Sequence, residues 1–143
     1  MDVSDLTLDI AQEVTIKAAP GDVFRSLLKR LSEDNMTPDG KSLSLVIEPW
    51  PGGRWFRDLG GQQGHLWGFV QVIKPPTLLE ITGPMIMSYP ATNHLQFRLT
   101  PVGGGTTLAL KHRALGLIDP EHRTGMTTGW EWILKGVQED AEK

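Results

Sequence analysis

The chain has 143 residues, no cysteine, and a net charge of -3 from 14 basic and 17 acidic side chains. That length fits one domain, of roughly 100–200 residues, with a core that needs no covalent staples, so residues 1–143 read as a single domain. Disulfides and thiolate metal sites are excluded, and the absence of a concentrated basic stretch argues against a nucleic-acid binder.

Residues 8–18 alternate, with Ile10, Val14 and Ile16 on one face and Asp9, Glu13, Thr15 and Lys17 on the other, which predicts a half-buried strand. Gln12 interrupts the apolar face. Pro20 opens a helix, with Asp22 in its first turn. Val23, Phe24, Leu27, Leu28 and Leu31 form its apolar stripe, and the polar run 32–40 ends it near Leu31. Strands follow at 45–50 and 54–58, divided by Pro51-Gly52-Gly53, and at 64–73 after Gly60-Gly61. Pro75-Pro76 closes that strand, since proline gives no N–H to a ladder. Strands at 78–87, 93–101 and 106–115 complete the run, the last two joined at Gly103-Gly104-Gly105.

The last two strands predict their own register. Pairing Leu99 with Leu108 sets Phe97 against Leu110 and Leu95 against His112. The other face then carries His94, Gln96, Arg98 and Thr100 against Arg113, Lys111, Ala109 and Thr107. One side is core and the other solvent, as in an antiparallel sheet. Ile81, Met85 and Met87 extend the apolar face into the preceding strand. Asp119-Pro120-Glu121 starts a second helix that reaches about Ala141. Its apolar stripe holds Met126, Trp130, Ile133, Leu134 and Val137. Gly125 and Gly129 each cost that helix about 1 kcal/mol against alanine, which points to close approach of another element or to room for a ligand. The order is strand, helix, six strands, long helix, an α+β layer arrangement. A straight helix laid on a curved sheet leaves space beside the line of contact.

Five segments in this order carry a resemblance. They are the run from Val14 to Phe24 (VTIKAAPGDVF); Pro51-Gly-Gly-Arg-Trp55; the spacing of Gly68, Val70, Ile73, Pro75, Pro76 and Leu79; Gly105-Thr-Thr-Leu108-x-Leu110-x-His112; and Gly129-Trp130 with Leu134. Together, over about residues 12–137, they resemble the START-like superfamily (also SRPBCC or Bet-v-one-like). Within it they look most like the branch named after the activator of heat-shock-protein-90 ATPase. The resemblance implies a helix-grip fold: a curved antiparallel sheet of six to seven strands wrapped around the long C-terminal helix. It also implies a ligand cavity between the two, with rare members doing chemistry there. The family usually places a second short helix after the first. Here Ser32 to Gly40 reads as loop, so one wall of the cavity is open or built differently.

The expected cavity residues are Gly68, Val70, Ile81, Met85, Leu95, Phe97, Leu110, His112, Met126 and Trp130. His112, on the apolar face, reads either as a polar anchor for an apolar ligand or as a structural histidine bonded within the protein. Met85, Met87 and Met126 read as an adaptable wall or as ordinary core. Trp130 faces the sheet, and its indole N–H wants a partner. Gly68 and Gly83 widen the space above them or mark bulges where the sheet curves. With Gly68 and Val70 inward, Trp67 and Phe69 point outward, near Trp55, and form a dimer surface. A bulge near Gln71 brings them inward instead.

No cofactor is expected. His65, His94, His112 and His122 lie on separate elements without ligand spacing, so no metal site is expected either. The glycine run at 103–105 precedes no helix and no lysine, unlike a phosphate loop. No serine sits in a nucleophile-elbow pattern. Glu48, Asp58 and Glu80 are not brought together, and Glu80 is predicted outward. The start of the chain lacks the basic and apolar regions of a signal peptide, and no stretch suits membrane insertion, so the expected location is cytoplasmic. The leading function is a carrier or sensor of a small hydrophobic or aromatic molecule. One alternative is an enzyme of the polyketide cyclase or hydrolase kind, using His112 in the same cavity. The other is an interaction or co-chaperone-like module, including a homodimer, using Trp55, Trp67 and Phe69.

Overall fold

The computed structural model describes residues 2–143. Seven strands form one antiparallel sheet: β1 (Thr7–Ile16), β2 (Leu45–Ile47), β3 (Arg54–Gly60), β4 (Gln63–Lys74), β5 (Leu78–Gly83), β6 (Ala91–Val102) and β7 (Gly105–Gly116). Their order across the sheet is β1-β7-β6-β5-β4-β3-β2. Two helices, α1 (Pro20–Arg30) and α2 (Pro120–Ala141), pack on each other, and α2 also packs on β1. The helix-grip α+β architecture is therefore present.

The helix boundaries follow from local chemistry. Both helices carry proline in the first turn, and the Asp119 side chain accepts the Glu121 backbone N–H at 2.8 Å, capping α2. At 22 residues α2 is about 33 Å long, and it runs beside β1 in the same direction. Polar side chains fix that alignment from end to end. Arg123 donates to the Thr7 carbonyl, Gln12 to the Thr127 carbonyl and Gln138 to the Thr15 carbonyl, while Glu142 accepts the Lys17 N–H. Gln12 interrupts its apolar stripe because it holds the helix backbone. These bonds also cover part of the exposed edge of β1.

The β6–β7 register matches expectation pair for pair, with Leu99 opposite Leu108, Phe97 opposite Leu110 and Leu95 opposite His112. On the outer face Glu80 accepts hydrogen bonds from His94 and Gln96. Two strands are shorter than expected. β2 stops at Ile47 because Glu48 turns to bind the backbone N–H and guanidinium of Arg54, at 2.8–3.0 Å. β5 stops at Gly83 because Pro84 has no N–H and Met85 takes a left-handed backbone, φ 57°. Met85 and Met87 are still buried, but from a loop rather than from a strand.

The strand β4 carries two bulges. Trp55 pairs with Gly68 and Phe56 with Leu66, so Trp67 is the extra residue against β3. Val70 pairs with Ile81 and Val72 with Glu80, so Gln71 is the extra residue against β5. The first bulge turns Trp67 inward, where it is 7% exposed, while Phe69 stays outside at 43%. Of the two aromatics expected together, one faces the core and the other solvent. Gly68 and Gly83 sit where backbones touch: a Cβ on Gly83 would lie 2.4 Å from the Gly68 Cα. Their small size lets strands approach and curve rather than clearing space above them.

Candidate functional site

The interface between α2 and the sheet has two unlike halves. In one half Phe97, Leu95 and Leu110 are buried, and Phe97 meets Trp130 edge-to-face at 5.9 Å. His112 is fully buried among them, and both its ring nitrogens are engaged. Trp130 donates its indole N–H to Nδ1 at 2.9 Å, and Nε2 lies 2.7 Å from the Asn93 Oδ1. Nδ1 accepts, so Nε2 carries the proton and donates to Asn93. The Asn93 amide then donates to the carbonyls of Gly83 and Pro84. Burial pushes the His112 pKa down from 6.5 to about 4, which holds the ring neutral. The chain from Trp130 through His112 and Asn93 to the end of β5 is closed within the protein.

The other half is hollow. A cavity of about 410 Å3 lies between the N-terminal half of α2, the 35–43 loop and the ends of β3 and β4. Trp55 and Trp67 form its sheet wall, edge-to-face at 5.1 Å. Trp55 is held by its indole N–H, which donates to the Leu31 carbonyl at the end of α1 at 2.7 Å. Met85 adds the loop after β5, and Asn35 and Leu43 add the loop after α1. On the helix side stand Met126, Trp130 and two glycines, Gly125 and Gly129. A Cβ built on either glycine meets nothing within 4 Å. They leave room; no other element presses against them. Gly136, one turn pair further on, is the opposite case, because the Arg30 guanidinium lies 2.4 Å from its would-be Cβ. At the rim His122 hydrogen-bonds Tyr89 at 2.7 Å and Trp132 lies beneath Arg30. A second hollow of about 620 Å3, around Asp5, Tyr89 and Arg123, lies outside the grip and lacks the aromatic walls.

A family model described as Activator of Hsp90 ATPase homolog 1-like protein matches residues 17–139. The chain belongs to that family. Solved structures agree on the fold. A putative uncharacterized protein from Rhizobium leguminosarum superposes with TM-score 0.74 at 15% identity, over 95% of each chain. The Aha1 dimer from Colwellia psychrerythraea gives 0.65 at 17% identity, over 94% of this chain and 96% of that one. The di-domain ARO/CYC StfQ from the steffimycin biosynthetic pathway gives 0.66 at 15% identity, over 98% of this chain and 51% of that one. No curated protein matches the chain.

In this Activator of Hsp90 ATPase homolog 1-like chain, the expected cavity residues divide between the two halves. Met85, Met126 and Trp130 line the hollow. Val70, Ile81, Leu95, Phe97, Leu110 and His112 lie in the packed core, and Gly68 lies at the strand crossing. Trp130 joins the two halves, with one edge on the cavity and its N–H on His112. The sequence leaves Trp55 and Trp67 open between an outer surface and the cavity, and both line the cavity; nothing in the sequence points to Asn35 or Leu43. The loop in place of the family's second short helix builds one wall itself, steadied by a bridge between Met36 and Ser42. No helix among the described residues is long and apolar enough to cross a membrane.

Proposed function

We propose that this protein binds a small apolar or aromatic molecule in the cavity between α2 and the Trp55–Trp67 wall, as a carrier or sensor. The observation that carries this reading is the cavity of about 410 Å3 walled by Trp55, Trp67, Met126 and Trp130, with open space beside it at Gly125 and Gly129. Both glycines are exposed on the helix side of the cavity, and glycine costs a helix about 1 kcal/mol against alanine. The volume lies within the range of about 300–1,000 Å3 typical of small-molecule sites, and the mostly apolar wall suits such a ligand. The neighbouring fold of an aromatase/cyclase leaves catalysis as the competing reading. His112 does not support it, because both its ring nitrogens are already bonded within the protein.

The test is a titration with the neutral fluorophore N-phenyl-1-naphthylamine. Saturable, blue-shifted emission with quenching of tryptophan fluorescence is expected, since Trp55, Trp67 and Trp130 line the site. No saturable signal from the folded protein would count against the reading.

A second reading, self-association, is favoured by the outer face of the sheet. Val46 pairs with Phe56 and Phe56 with Leu66, which forms an apolar row across β2, β3 and β4. Val46 and Leu66 are 38% and 41% exposed, and Phe69 lies nearby. Sedimentation of wild type and Leu66→Glu tests it. A dimer lost in the variant supports this reading, and a wild-type monomer at all concentrations refutes it.

A further inference from the structure

The cavity wall contains one nearly buried polar side chain that the protein leaves unused. Asn35 is 5% exposed, and its backbone is fixed by bonds to Ser32 and Leu43. Among the described residues its side-chain amide has no hydrogen-bond partner, although it lies on the cavity wall. Trp67 is 7% exposed, and its indole N–H also has no partner, but that nitrogen is fully enclosed and does not open onto the cavity. The contrast between Asn35 and its other neighbours is informative. Trp55 and Trp130 line the same cavity, and both place their N–H groups on protein acceptors. Buried polar groups are normally paired, and leaving them unpaired costs stability. The wall also has no lysine or arginine among the described residues, and its one carboxylate, Glu121, is exposed.

We infer that the ligand is a flat, neutral molecule bearing a hydrogen-bonding oxygen, a carbonyl or hydroxyl, which Asn35 recognises. This rests on the cavity being a binding site. Asn35 offers both donors and an acceptor, so it can serve a carbonyl or a hydroxyl oxygen. A carboxylate would lose its hydration on entry without meeting a cation. Asn35 acts here as the specificity residue; the tryptophans and the two glycines supply shape.

Three matched probes test the inference by displacing N-phenyl-1-naphthylamine: 1-acetylnaphthalene, 1-ethylnaphthalene and 1-naphthoate. Wild type is expected to bind the ketone about tenfold more tightly than the hydrocarbon and the carboxylate more weakly than the ketone. Asn35→Leu, checked by circular dichroism, is expected to narrow the ketone preference while hydrocarbon binding persists. A wild-type ratio near unity overturns the inference without any variant, as does a preference for naphthoate. A ketone preference unchanged in folded Asn35→Leu also overturns it. If the hydrocarbon and the fluorophore fail to bind wild type at all, the cavity reading itself falls. Binding without preference removes only the assigned chemistry.

Discussion

Around Phe97 and His112, α2 and the sheet meet as a solid. Around Gly125 and Gly129, the same two elements stand apart. Both halves have apolar periodicity, and both are bounded by buried tryptophan. They differ in what occupies the helix face and in whether the polar groups are closed on each other. In the packed half a histidine, an asparagine and an indole satisfy one another, so nothing is left for a ligand. In the hollow half two glycines remove the filling, and an asparagine and an indole remain without partners. An apolar face on a helix therefore marks the side that is buried, and the side-chain volume along that face decides whether the space is filled.

This contrast predicts graded effects. The largest is in the packed half: Phe97→Ala leaves a cavity with no route to relaxation and is expected to cost about 4 kcal/mol in denaturant unfolding. A cost under about 1 kcal/mol would mean that this half is not solid. Next is pH. The His112 pKa falls from 6.5 to about 4 on folding, so the unfolded chain takes up the proton first. Stability from this group is complete above pH 6.5 and falls as pH drops toward 4, by up to about 3 kcal/mol. His112→Gln should flatten that slope, and a slope that persists would place its origin elsewhere. Met126→Ala, beside existing empty space, should cost less than Phe97→Ala, about 2 kcal/mol. Equal costs would erase the distinction between the halves. Smallest is Gly125→Ala, which meets open space and should stabilise the protein by up to about 1 kcal/mol. Gly136→Ala should gain less, because Arg30 must move aside.

Much of the fold was legible because its signals are local. The glycine run at 103–105 and the alternation from Leu95 to His112 set a register that the sheet reproduces. Proline and aspartate marked the start of α2. The cavity was less legible, for physical reasons. Alternation assigns Trp67 outward, and the extra residue of a bulge leaves no trace in a period of two. Asn35 sits in a polar, turn-rich run, where burial has no sequence pattern. From sequence His112 is equally an anchor or a structural residue, and only the distances to Trp130 and Asn93 separate the two. From sequence Gly125 and Gly129 mark either close contact or room, and only three-dimensional neighbours decide that. Gly136, with the same residue type on the same helix, is the close-contact case.

The most direct test of the hollow half is Gly129→Leu, titrated with N-phenyl-1-naphthylamine beside wild type. The leucine should occupy the open space, leave the melting temperature unchanged or raised, and reduce probe affinity at least about tenfold, the loss expected from 1.4 kcal/mol or more. A folded variant that binds the probe as tightly as wild type would show that the ligand, if any, lies elsewhere.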